Sequence, residues 1–370
     1  MTLRRQLPRG GWVLLGVLLA ERFGAGLFQR ELVERATAAG LSRLDASVVS
    51  ALARFWALPG FALGALVSWF WPRAALGLGL ALSLSGALYS VRGGCDWRVV
   101  SAVVAVGSAC SLLAVFASLA ARLRPARGVA ERMAPVALFV SVEHLAALLT
   151  PKMGGFGAWA GAACWVLGLV LLLLVARGST CAIDGGGPTP RRGQARLRAG
   201  ALVIFGAILV PNSLATPGEF EQSRALVFEW ALCLGLLALS LFRAARISAW
   251  RALLSGLVLS AGCTLSAVVC YELHVPFVTW GWVAVAGLAG ALLYAVAYAV
   301  LLAGGRRVSV VMLFWFFSVT RGASCFYYWI QNQEMPGGFL GLLVALFSVP
   351  LLVALTKWER RFSRLLMLDA

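Results

Sequence analysis

Twelve apolar runs of roughly bilayer-crossing length recur along the 370 residues. They fall at about 11–33, 47–71, 74–91, 98–121, 132–150, 155–176, 199–216, 223–242, 252–271, 278–303, 308–330 and 337–356. A helix needs about 20 apolar residues to cross hydrocarbon. Inside hydrocarbon the backbone must satisfy its own hydrogen bonds, which a helix does. The chain is 61% hydrophobic and 13% charged, against about 45–50% and 25% in soluble domains. A water-soluble core is excluded, and an all-α membrane protein of twelve spans is expected.

The formal net charge of +17 would fit a nucleic-acid footprint if the basic residues were clustered. They alternate instead. Arg4, Arg5 and Arg9 precede the first run, Arg122, Arg124, Arg127 and Arg132 follow the fourth, and Arg191, Arg192, Arg196 and Arg198 follow the sixth. Arg243, Arg246 and Arg251 follow the eighth, and Lys357, Arg360, Arg361 and Arg364 follow the last. The intervening loops hold acids: Glu31, Glu34, Asp45, Asp96, Glu219, Glu221, Glu272 and Glu334. This is the positive-inside pattern, with both termini cytoplasmic. The charge is therefore topology, and no nucleic acid is expected. The first run imitates a secretory signal, but no small-residue cleavage site follows it, so it reads as an uncleaved span. The expected location is a bacterial inner (plasma) membrane, as a monomer among lipids.

Eight cysteines form no CxxC pair, and only two histidines are present. A metal or haem site has little to build on; no cofactor, metal or catalytic residue is expected.

Ionisable residues inside the runs are few: Glu21 and Arg22 in the first, Arg54 in the second, Glu143 and His144 in the fifth, Glu229 in the eighth and Arg321 in the eleventh. Each charge at a bilayer centre costs about 2.5–3.5 kcal/mol on insertion scales. Such groups must face protein or water. With His144 neutral, three glutamates balance three arginines, as interior ion pairs require. The middles of runs 3, 6, 9 and 12 hold no ionisable residue. Residues 177–198, RGSTCAIDGGGPTPRRGQARLR, form a polar linker with six runs on each side. The expected domains are 1–176 and 199–370, joined by 177–198.

Two six-helix halves with a basic linker resemble the major facilitator superfamily over essentially the whole chain. The resemblance implies that spans 3, 6, 9 and 12 are outermost and that 1, 4, 7 and 10 line a central cavity, with 2, 5, 8 and 11 beside them. Around Glu21-Arg22-Phe23, AERFGAG is similar to the span-1 motif ExxERFxYY of proton-coupled oligopeptide transporters, with Leu18, Ala25 and Gly26 replacing the first glutamate and the tyrosines. That similarity implies proton coupling at Glu21 and carboxylate binding at Arg22. The superfamily's loop 2–3 motif survives as Gly64, Leu66 and Arg73 in GALVSWFWPRA.

The expected function is secondary transport of a small polar or amphiphilic solute by alternating access, with proton symport. Candidate proton-coupling groups are Glu21, Glu143, His144 and Glu229, since a desolvated carboxyl titrates nearer neutrality. Candidate solute-binding groups are Arg22, Arg54, Asn212, Arg321, Trp56 and Tyr298. Set against this, the ion pairs only lock helices together, Pro211-Asn212 is an ordinary kink and the aromatic residues are packing. Two other functions compete. One is a polytopic lipid or glycan transferase, using His274, Glu272 or Asp96 at a membrane face. The other is a transporter-like scaffold without transport.

Overall fold

The computed structural model describes residues 7, 9–38, 43–91, 96–123, 129–150, 157–178, 218–241, 248–302 and 307–318. Among these the regular structure is helical: α1 (Arg9–Ala38), α2 (Arg43–Phe70), α3 (Pro72–Val91), α4 (Trp97–Arg122), α5 (Val129–Leu149), α6 (Gly157–Gly178), α7 (Gly218–Leu241), α8 (Ala249–Glu272) and α9 (Pro276–Leu301), then α10 over 307–318. These are the expected spans 1–6 and 8–10 and the first part of span 11. Spans 7 and 12, and the linker beyond Gly178, lie outside the described residues.

Each helix follows from a largely apolar run bounded by polar or turn residues. Asp96 caps α4, its carboxylate accepting from the Arg98 amide at 2.8 Å. His274 closes α8 in the left-handed region, at φ 56°. The Val275 amide then returns to Cys270 O at 3.0 Å, and Pro276 opens α9 at its first turn. Pro59 and Pro135 sit inside α2 and α5 without ending them.

Helices in lipid gain little from hydrophobic association and pack through small residues. The α3–α4 crossing shows this. A Cβ placed on Gly79 would stand 2.6 Å from the Ser111 amide, and one on Gly107 would stand 2.6 Å from Gly79 O. On α2, Gly60 and Gly64 press against the α4 backbone at Val106 and Cys110. The loop-motif remnant Gly64 is thus a packing residue here. On α9, Gly287 meets Phe228 O of α7, whereas Gly281 faces open space.

Burial orders the helices as the resemblance implies. Along their most apolar windows α4 and α9 are 72% buried, but α3 and α8 only 44%. The outer faces of α6 and α8 expose Leu167, Leu173, Leu259 and Leu265, an apolar skin suited to acyl chains. Helices before the linker meet those after it chiefly where α5 packs on α7 and α9.

A branched side chain at the α3–α4 crossing should be rejected. Gly107→Val is expected to destabilise by about 1–3 kcal/mol through overpacking, and Gly281→Ala to be neutral. Thermal melting of detergent-purified protein checks both.

Candidate functional site

A cavity of about 810 Å³ lies among α1, α2, α4, α5 and α7, within the range of small-molecule sites. Its wall is largely carbon, including Ala25, Phe28, Ala57, Phe61 and Leu112. Its polar groups are Arg22, Ser108, Glu143, His144 and Glu229 in the depth, with Gln29, Arg30, Glu34, Ser101 and Thr150 toward the mouth. The mouth pair is exposed, Arg30 Nε donating to Glu34 Oε1 at 2.7 Å.

Glu21 and Arg22 are neighbours, so the helix sends their Cβ atoms about 100° apart. The long arginine side chain closes that angle. Its Nε donates to Glu21 Oε2, and its Nη2 donates to Ser108 Oγ at 2.9 Å and Ser108 O at 3.2 Å. Ser108 Oγ in turn donates to Glu21 Oε1 at 2.7 Å. The result is a closed ring of charge-assisted bonds tying α1 to α4. Glu21 is fully buried behind Arg22, while Arg22 reaches the cavity.

Glu143 and His144 of α5 both border the cavity and part company there. His144 Nδ1 shares a 2.6 Å hydrogen bond with Glu229 Oε2 of α7, so this pair spans the sequence linker. Its ring also stands edge-on to Tyr294 of α9, centroids 5.4 Å apart. Glu143 Oε2 is buried and has no hydrogen-bond partner.

Below the cavity, the described helices meet through aromatic rings. Phe61 borders the cavity and stacks on Phe317 of α10 at 5.0 Å. Phe116, one turn beyond Leu112 on α4, meets Tyr298 of α9 at 5.0 Å, and Tyr298 meets Phe316 at 5.3 Å. Two arginines fasten the same end. Arg132 Nη1 of α5 donates to Leu302 O, at the end of α9, at 2.6 Å. Arg307 of α10 lies over the Trp69 ring of α2 at 5.7 Å.

The candidates distribute as follows. Arg22, Glu143, His144 and Glu229 meet in the cavity, with Glu21 behind them. Tyr298 lies in the aromatic floor rather than the wall, 4% exposed. Trp56 is 39% exposed beside Phe55, away from the cavity. Asn212 and Arg321, and the side chain of Arg54, lie outside the described residues. Of the transferase candidates, the Asp96 carboxylate caps α4, and His274 stands exposed at the α8–α9 turn. The Glu272 side chain lies outside the described residues. Among the described residues no three His, Cys, Asp or Glu side chains gather as metal ligands. Sequence reasoning missed Ser101 and Ser108. Their seven-residue spacing on one face of an apolar helix was the available signal.

No family model matches the sequence, and no curated protein matches it. The fold does have solved counterparts. A bacterial homologue of the iron transporter ferroportin, in an outward-facing state, superposes with a TM-score of 0.65 at 13% identity, covering 95% of this chain and 100% of that one. The major facilitator superfamily transporter FucP, in its outward conformation, gives 0.68 at 12% identity, covering 98% and 99%. The human organic anion transporter MFSD10 (TETRAN) gives 0.63 at 15% identity, covering 94% and 99%. The chain has the major facilitator fold.

Removing one member of the Glu21–Arg22 pair strands the other charge. Glu21→Leu alone is expected to cost about 3–5 kcal/mol, and Glu21→Leu with Arg22→Met much less. Melting temperatures of the single and double variants measure the difference.

Proposed function

We propose that the chain is a secondary transporter moving a small polar or amphiphilic solute by alternating access. The two rocking units are 1–176 and 199–370, with 177–198 as the linker. The observation that supports this best is the asymmetry of the bundle. A polar cavity lies toward one end, and at the other end, among the described residues, helices before the linker meet helices after it through ring contacts and an arginine bond. Such contacts can be exchanged for others without unfolding either unit. The arginine-rich end is the sealed one, so the positive-inside rule makes this the outward-open state of an inner-membrane protein. Symport with protons is assigned to Glu143, His144 and Glu229, which border the cavity, rather than to Glu21 behind them.

Spin-label distances test the reading without a known solute. Label pairs at Tyr89 and Phe277 report the open end, and pairs at Ala121 and Arg251 the sealed end, all four being exposed positions. Each pair is expected to show two populations, one pair shortening as the other lengthens. Phe116→Ala, which trims the floor, is expected to enrich the state in which the sealed end is apart. Single, unresponsive distances at both ends would overturn alternating access.

A further inference from the structure

The charged groups of the cavity are not equally committed. Both arginines on its wall are taken: Arg22 by Glu21 and Ser108, and Arg30 by Glu34. Of the carboxylates, Glu34 is held by Arg30 and Glu229 by His144. Glu143 has no such contact and faces Arg22 only through its charge. It borders the cavity, and its Oε2 is shut off from solvent with no hydrogen-bond partner. An unsatisfied buried acceptor draws a donor, and more strongly when it is charged. We propose that the cavity binds an organic ammonium ion, whose N–H group Glu143 receives and whose hydrocarbon part lies against Ala25, Phe28, Ala57, Phe61 and Leu112.

The wall favours this class over its competitors. A carboxylate-bearing solute would find only the remaining N–H groups of Arg22 and would meet Glu143 and Glu229 in the same cavity. A bare metal ion would find one uncommitted carboxylate in a wall mostly of carbon. An ammonium ion with an apolar body needs just those two things. The assignment deepens the transport reading and takes from it only the cavity's role as the solute path.

The test uses the full chain in detergent and two isosteric series, phenylalkylammonium ions and phenylalkyl carboxylates of the same length, followed by thermal shift and by calorimetric titration. The ammonium series is expected to raise the melting temperature and the carboxylate series to leave it unchanged. In Glu143→Gln, ammonium affinity is expected to fall at least tenfold. The unliganded melting temperature should not fall, because no hydrogen bond to Oε2 is lost. Stabilisation by the carboxylates alone, by neither series, or by ammonium ions undiminished in Glu143→Gln would overturn the assignment. Should Glu143→Gln fail to fold, the contrast between the two series on the unaltered chain still decides. Selectivity for anions would leave the reciprocal spin-label distances, and with them alternating access, standing. Rigid distances would remove transport and leave the ammonium preference intact.

Discussion

A charge inside hydrocarbon has to be neutralised by the protein itself, and this requirement organises the bundle. Glu21 and Arg22 fall in the middle of α1, so α1 cannot be a peripheral helix. The ring through Ser108 resolves the problem locally and fixes the rotation of α1 against α4. It also presents one face of Arg22 to the cavity while hiding Glu21. Polarity is thereby admitted to the centre without leaving an isolated ion, the arrangement that costs most in a low-dielectric medium.

Packing supplies the complementary half of the design. Close glycine contacts lock α3, α4 and α2 together before the linker and α7 to α9 after it. Among the described residues, contacts across the linker include ring on ring, Arg307 over the Trp69 ring, Arg132 to a helix-end carbonyl, the His144–Glu229 bond and Cys233 Sγ to Ser141 O. Backbone-tight interfaces resist sliding because both sides would have to shift together. Ring and side-chain contacts can be broken and remade. The proposed division into two rocking units draws on where small and aromatic residues were placed.

Much of this was legible in the sequence, for physical reasons. Apolar run lengths set the helices, and a bilayer leaves few alternatives to a helix. The absence of charge in runs 3, 6 and 9 anticipated the exposed faces of α6 and α8 and the lesser burial of α3. Glu143, His144 and Glu229 were legible as interior groups because charge in lipid is expensive. Their pairing was not legible. His144 and Glu143 share a backbone neighbourhood, yet the helix turns His144 toward Glu229, 85 positions away, and leaves Glu143 without a bond. Nor did the sequence separate wall from floor among the aromatic residues. Tyr298 and Phe61 are equally apolar in pattern, and only the crossing of α2, α4, α9 and α10 decides which of them meets the cavity.

The proposed alternating access requires that the floor contacts be breakable, and their size allows it. Offset or edge-on ring pairs contribute about 0.5–1.5 kcal/mol each beyond their buried area. A cation over a ring contributes about 0.5–2 kcal/mol. Arg132 on Leu302 O adds one charged hydrogen bond, helped by the negative end of the α9 dipole. These sum to a few kcal/mol, enough to hold a closed end against thermal opening and too little to make closure permanent. A seam of interdigitated glycines, or an ion-pair network as well connected as that of Glu21, Arg22 and Ser108, would have been harder to open. The ring of Glu21, Arg22 and Ser108 lies wholly before the linker, whereas the contacts that cross it are ring pairs and single polar bonds, among them His144 with Glu229 and Arg132 with Leu302 O.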